Sequence, residues 1–224
     1  MSTAVIVGAG GVSLIAGAFS FMAVFAYLSA RFDYPRILDG SASEVLPRLI
    51  EGGPPLRRAW AIYSVLPLLL IPGAVGCAAA LPASPALAML ATAMACVAAL
   101  AMCLGLMRWP SMHWALAQAH MGIEDDSDMA LEALFRGFNL YLGTYVGEFL
   151  GEVCLAAFFA LIGAGMLAEP RFPAWIGWAG MAFGGLFVVG ALRHVTGRVQ
   201  PVADVNNGLL PVWMIVLGLS LLLF

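Results

Sequence analysis

Long runs of apolar residues alternate with short polar segments along the chain. Residues 4–30 contain no charged side chain, and a second charge-free run covers residues 59–107. A helix that crosses a bilayer needs roughly 20 apolar residues, so the second run is long enough for two helices and a turn. The runs are continuous, whereas the strands of a membrane β-barrel alternate apolar and polar residues. The pattern therefore predicts an all-α, polytopic transmembrane helical bundle.

Six helices account for the apolar runs. Their predicted bounds are about 4–30, 59–81, 86–107, 129–167, 174–192 and 208–224. The polar residues 31–58 are predicted as a cytoplasmic loop that carries a short interfacial helix. Within this loop, Ser41 and Glu44 have the spacing of a capping box, which predicts the start of the short helix. Residues 1–224 form a single transmembrane domain in this prediction.

The composition and the positions of the charged residues predict the orientation of the chain in the membrane. Only 10% of the residues are charged, against about a quarter in soluble domains. All ten basic residues are Arg, and if the N-terminus is outside, nine of them fall on the inner side and only Arg171 on the outer side. Cytoplasmic loops carry such an excess of Arg. We predict a multi-pass protein of a bacterial inner membrane, with both termini periplasmic and a retained first helix.

The fourth predicted helix carries two acids in an apolar setting. Glu148 and Glu152 are four residues apart, so they share a helical face with about 6 Å between them along the axis. Ionisable groups inside a bilayer are costly and usually functional, and two adjacent carboxylates favour a proton or a cation between them. We predict a ligand-binding site of Glu148, Glu152, Thr144 and Tyr145. The alternative is a carboxylate pair that is protonated, or paired with Arg, and only fixes the bundle.

The sequence is consistent with two depths of these acids in the membrane. Residues 137–168 contain no other charge and exceed one perpendicular span. A fully buried, tilted segment places Glu152 near the midplane, whereas a span that begins near Tyr145 places both acids close to the inner interface. Beside the acids, Gly143, Gly147 and Gly151 repeat every four residues, which is typical of a helix-packing ridge.

The histidines and a second acidic group are candidate metal ligands. His113 and His194 are predicted at the cytoplasmic ends of different helices, where two histidines can hold a haem. The alternative is a pair of interfacial histidines without a ligand. The acids before the fourth helix are predicted to cap it rather than to bind a divalent cation, and they are Glu124, Asp125, Asp126 and Asp128. The main prediction is therefore no cofactor, with haem or a divalent metal as the alternative.

Three segments resemble a family of multi-pass bacterial membrane proteins. Residues 31–38, RFDYPRIL, resemble its F-D-Y-P-D-hydrophobic pattern, and residues 141–151 resemble its Y-L-G-x-x-x-G-E-x-L-G helix. Residues 171–177, RFPAWIG, are similar to its P-x-W-[IL]-G outer turn. The family is the one described as domain of unknown function 4386. Arg36 stands where the pattern has an acid, and Glu152 lies outside the pattern. The resemblance implies six or seven helices and supplies no activity.

Three functions are consistent with these features. The first is binding or proton-linked transport of a small molecule or ion at the carboxylate site. The second is an accessory subunit that packs by its glycine ridge on a larger membrane complex or on a copy of itself. The third is a membrane-embedded haem or metal redox protein. The chain lacks the motifs of a P-loop, a nucleophile elbow or a zinc protease, which leans away from an enzyme. It also lacks a basic patch for nucleic acid, so its expected partner is the lipid bilayer.

Overall fold

The apolar runs form six membrane-length helical stretches. The computed structural model describes residues 2–121 and 129–224, and every element within these two ranges is helical. The six stretches that are long and apolar enough to cross a membrane are Thr3–Phe32, Ala42–Ala79, Pro85–His120, Met129–Leu167, Ala174–His194 and Gly197–Leu223. The chain is therefore a helical, multi-pass membrane protein. The acids predicted to cap the fourth helix, Glu124 to Asp128, lie outside the described residues.

The six stretches divide into nine α-helices and shorter connecting turns. The helices are α1 Thr3–Phe32, α2 Ala42–Val65, α3 Leu70–Ala79, α4 Pro85–Met107, α5 Trp114–His120, α6 Met129–Phe138, α7 Gly151–Leu167, α8 Ala174–Ala191 and α9 Gln200–Leu223. A 3-10 turn at Leu66–Leu69 joins α2 to α3. Two π-helical segments, Trp109–His113 and Asn139–Leu150, continue α4 into α5 and α6 into α7.

Three of the helical stretches extend well beyond their apolar runs, and the sixth begins at Gly197 rather than near residue 208. The second begins at Ala42 rather than near residue 59, and the third continues to His120 rather than ending near residue 107. The short helix predicted within residues 31–58 is therefore present, and it continues into the apolar part of the second stretch instead of being separated from it. Gly53, with φ 58° and ψ −158°, separates an amphipathic first part of α2 from its apolar second part. A left-handed φ of this kind favours glycine, which has no Cβ to clash.

The start of α2 is held by another helix. The Ser41 side chain makes no capping hydrogen bond to the backbone of the helix, and its hydroxyl is hydrogen-bonded to that of Ser43 at 2.9 Å. The Ala42 N–H instead donates to Glu132 Oε2 of α6 at 2.7 Å. The helix thus begins where the Ser41 and Glu44 spacing predicted, but the capping box itself does not form, and a carboxylate from a different helix satisfies a free backbone N–H at this end instead.

Two hydrophobic cores explain both the membrane bundle and its extensions. The first core lies between α1, α3, α4, α7, α8 and α9 and includes Leu14, Ala95, Phe158, Ile162 and Leu217. The second core joins the end of α1 to α2, α5 and α6, and it includes Phe32, Leu46, Trp60, Trp109 and Phe135. The extended helices form because they bury apolar side chains in this second core. We call the end of the bundle at Phe32 and Ala191 the basic end, since nine of the ten Arg lie there.

At the opposite end of the bundle, Glu169 connects two turns by a hydrogen bond. This residue is 7% exposed, and its Oε1 accepts a hydrogen bond from the Ala83 N–H at 2.6 Å. Nearby, Arg171 Nη2 donates to the Ala80 carbonyl at 3.2 Å. Together these bonds tie the turn before α4 to the turn before α8.

Glu169→Ala should therefore destabilise the folded protein by about 1–3 kcal/mol, because it removes the carboxylate that accepts the hydrogen bond of the Ala83 N–H. Unfolding in mixed detergent micelles measures this loss. Glu51→Ala is the matched control, since Glu51 is exposed. Equal stability of the two variants would contradict a fastening role for Glu169.

Candidate functional site

The two carboxylates of the fourth stretch meet an arginine from the end of the fifth. Arg193 lies just after α8, and its Nη1 and Nη2 each donate to one oxygen of Glu152 at 2.6 Å. The Glu152 and Arg193 side chains are only 12% and 10% exposed. A bidentate, desolvated pair of this kind is among the stronger charge-assisted contacts in proteins. The pairing with Arg was the structural alternative for Glu152 in the sequence analysis.

Glu148 is placed differently from Glu152. Its Oε2 accepts a hydrogen bond from Arg193 Nη2 at 3.0 Å and lies 3.5 Å from His194 Nε2. Its side chain is 41% exposed, and it accepts only this one hydrogen bond from the arginine. Glu148 is therefore the more exposed and less tightly bonded of the two carboxylates.

The position of Arg193 also sets the depth of the acids. Arg193 lies about 29 Å along the helix axis from Ala174, which is close to the thickness of a hydrocarbon core. Counted from Ala174, the acids that contact Arg193 therefore lie toward the basic end of the fifth helical stretch and not near its middle. This agrees with a span that begins near Tyr145, and it leaves residues 129–144 as a helical extension at the basic end.

A cavity of about 180 Å³ lies between α1, α2, α4, α9 and the fourth stretch. Both Glu148 and Glu152 line it. Most of its wall is apolar, with Phe21, Leu66, Leu70, Met102, Phe187 and Met214 among the lining residues. Apolar walls with a few convergent polar groups are typical of small-molecule sites. The volume is below the ~300–1,000 Å³ of drug-sized pockets, so this conformation suits a small ligand.

Arg108 contributes a positive charge to the same cavity. It ends α4 and is 6% exposed, and its Nε donates to Asn139 Oδ1 at 3.0 Å. Its Nη1 donates to the Gly105 carbonyl. Both acceptors are neutral, and Arg108 forms no ion pair with any acid in residues 2–121 and 129–224. A buried guanidinium without a counter-ion is unusual, because buried charges are normally paired.

Two tyrosines complete the polar part of the cavity. Tyr34 follows α1 and Tyr63 lies on α2, and their rings are 6.1 Å apart. The Tyr63 hydroxyl is buried and makes no hydrogen bond of normal geometry within the described part of the chain, although the Tyr34 hydroxyl is close enough to interact with it. Burial and the nearby Glu148 carboxylate raise the pKa of Tyr34 to about 12, so this hydroxyl keeps its proton at neutral pH. Both phenols are therefore hydrogen-bond donors toward the cavity.

The glycine ridge of the fourth stretch lies against α4. A Cβ on Gly147 would lie 2.9 Å from Gly105 Cα, and one on Gly151 would lie 3.1 Å from Met102 Cγ. A Cβ on Gly143 would lie 2.6 Å from Arg108 Nη2. The ridge thus lets two helices touch and makes room for the Arg108 side chain.

The other residues predicted for the ligand site lie outside the cavity wall. Tyr145 is 47% exposed and packs edge-on against Phe149, with 6.4 Å between the ring centroids. Thr144 is half-buried one turn before Glu148. Neither lines the cavity that Glu148 and Glu152 share.

The two candidate metal ligands have different surroundings. His113 is fully buried, with its ring 4.6 Å from that of Trp109 and 4.7 Å from that of Phe135. His194 instead lies beside Glu148 and Phe149. No contact in the described part of the chain joins the two histidines. Residues 2–121 and 129–224 also contain no group of three or more His, Cys, Asp or Glu side chains that could hold a metal ion.

Sequence reasoning did not single out Arg108, Arg193, Tyr34 or Tyr63 as site residues. A usable signal existed for Arg108, which follows the charge-free run 59–107 directly and so is the first charge met at the end of a span. Tyr34 falls inside the F-D-Y-P segment that carried the family resemblance. Nothing in the local sequence of Arg193 or Tyr63 separates them from the other arginines and aromatic residues of the basic end.

Comparison with known proteins places the chain in a family. The model of a family described as domain of unknown function (DUF4386) matches residues 9–224, which is nearly the whole chain. No curated protein and no solved structure matches the chain.

Proposed function

Because the chain belongs to the DUF4386 family of unknown function, its activity must be argued from its own site, and we propose proton-linked binding and transport of a small molecule. The proposed location is a bacterial inner membrane, with both termini periplasmic. The observation that carries the proposal is the cavity inside the bundle, whose wall holds the accessible carboxylate of Glu148 beside a buried arginine.

The two acids differ in their hydrogen bonds and in their exposure, and this difference supports the proposal. Glu152 accepts two hydrogen bonds of 2.6 Å from Arg193, so it holds the arginine side chain in place. Glu148 makes one longer bond to the same guanidinium and is more exposed. Protonation of Glu148 removes its attraction for Arg193 without disturbing the Glu152 pair. The site can thus take up and release one proton while the bundle stays closed.

Glu148→Gln should abolish proton movement that is coupled to a solute. The protein is reconstituted in liposomes that contain a pH-sensitive dye, and a gradient of hexanesulfonate, hexyltrimethylammonium or mannitol is applied. These probes differ in charge, and the two charged ones carry a fixed charge and do not cross lipid as neutral forms. We expect wild-type protein to move protons with one of the charged probes, and the variant to move none.

Glu44→Gln is the control, because Glu44 is an exposed acid whose partner is Arg48 on the next helical turn. It should transport like wild type. The proposal would be overturned by proton movement in Glu148→Gln at the wild-type rate, or by wild-type protein that moves no protons with any of the three probes.

A further inference from the structure

We infer that the cavity binds a small amphipathic anion, with the Arg108 guanidinium as the partner of its acidic headgroup. The shared chemistry is a single carboxylate, phosphate or sulfonate on a short apolar chain. This inference rests on the proposed function and adds to it the class of substrate.

The first support is the unmet charge of Arg108. Arginine stays protonated in proteins, so the buried side chain carries a full positive charge. Its bonds to Asn139 and Gly105 use Nε and Nη1, while Nη2 lies over Gly143 and has no acceptor among the described residues. A guanidinium has a planar fork that matches two oxygens of a carboxylate or phosphate. An anion in the cavity would give the guanidinium a direct ionic contact, whereas Glu148 interacts with it only at a longer distance.

The second support is the set of hydrogen-bond donors around this charge. The buried Tyr63 hydroxyl has only the Tyr34 hydroxyl beside it and makes no hydrogen bond of normal geometry, and Tyr63 lines the same cavity as Tyr34 and Arg108. An unmet buried hydroxyl costs free energy that a ligand oxygen would recover. Apart from these groups, the two carboxylates and Asn207, the wall is apolar, which suits a short hydrocarbon chain better than a small inorganic anion.

The third support is the charge balance at Glu148. The charged and titratable groups around it are Arg193 and His194 after α8, Arg108 after α4, Tyr34 in the loop after α1, and Glu152 on its own helix. With His194 neutral, two arginines balance two carboxylates. An entering anion adds one negative charge, and a proton on Glu148 compensates it. Binding of the anion and binding of a proton therefore favour each other.

The test is calorimetric binding of hexanesulfonate to the purified protein in a neutral detergent, with hexyltrimethylammonium as the probe of opposite charge. We expect the anion to bind and the cation not to bind. Arg108→Met should weaken hexanesulfonate binding at least about tenfold, because a hydrogen-bonded ion pair is lost. Arg31→Met is the matched control, since Arg31 is an exposed arginine at the same end, and it should bind like wild type.

Two conservative variants keep the test decisive if Arg108→Met does not fold. Tyr63→Phe removes one donor without changing shape, and we expect about a threefold loss of anion affinity. In Glu148→Gln the affinity should no longer fall as the pH rises, whereas in wild-type protein it should. Unchanged anion affinity in Tyr63→Phe together with a wild-type pH profile in Glu148→Gln would overturn the inference.

Failure of this inference differs from failure of the proposed function. Binding of hexyltrimethylammonium that requires Glu148 would refute the anion and leave a proton-linked carrier of cations. Binding of hexanesulfonate without any proton movement in liposomes would keep the anion site and refute transport. Competition by phosphatidic acid in vesicles would assign the headgroup to a lipid, and lack of competition would assign it to a free solute.

Discussion

Arg193→Met should destabilise the folded protein by about 3–5 kcal/mol, the largest loss expected from a charged residue in this chain. The substitution leaves the Glu152 side chain, which is 12% exposed, without the two bonds that compensate its buried charge. Glu148 loses its hydrogen-bond donor as well. Unfolding in mixed detergent micelles at neutral pH measures the effect. The loss should shrink at acidic pH, because protonated carboxyl groups no longer need a cation.

A neutral version of the site separates the cost of an unpaired charge from the loss of packing. Adding Glu148→Gln and Glu152→Gln to Arg193→Met should restore most of the stability, since no buried charge then remains unpaired. Arg198→Met is the control for loss of one positive charge at the basic end, because Arg198 is exposed. If the neutral triple variant is as unstable as Arg193→Met alone, the arginine acts through its packing and not through its charge.

The number of spans and the shared face of the acids were predictable because both follow from local periodicity. An apolar run of membrane length specifies a helix whatever it packs against, and residues four apart share a face in any helix. The identity of the partner was not predictable in this way. Arg193 is one of nine arginines predicted on the same side, and only the packing of α7 against α8 brings it to Glu152.

The extent of the helices was harder to predict than their number. Charge-free runs end where lipid contact ends, so they do not report helices that continue beyond the membrane. The second stretch begins at Ala42 because Leu46 and Leu49 enter the second hydrophobic core, and the third continues to His120 because Trp109 and Trp114 do the same. These contacts join residues that are far apart in sequence, and no local pattern contains them.

The buried arginine shows a third limit of sequence reasoning. A charge at the end of an apolar run is normally interfacial, and its long side chain reaches toward water. Arg108 instead turns inward, because Gly143 leaves room for its guanidinium and Asn139 accepts its Nε–H. The direction of the Arg108 side chain is therefore set by the absence of a side chain at Gly143, which lies on another helix. No feature of the arginine's own segment indicates it.

Gly147→Val should destabilise the bundle by about 3 kcal/mol or more, because the substitution forces two helices apart. A Cβ at this position would lie 2.9 Å from Gly105 Cα and 3.0 Å from the Leu142 carbonyl oxygen. Both neighbours are backbone atoms, which cannot move aside as the tip of a side chain can. Gly105 and Gly147 also line the cavity, so separation of the helices should weaken binding of hexanesulfonate as well.

Gly137→Val is the matched control on the same helical stretch. A Cβ on Gly137 meets no atom within 4 Å, and valine is a better helix former than glycine, so this variant should be as stable as wild type or slightly more so. The readouts are the unfolding midpoint in mixed micelles and the affinity for hexanesulfonate. Wild-type stability in Gly147→Val would show that α4 and the fourth stretch do not touch at this glycine, and the cavity between them would then lack its closed wall.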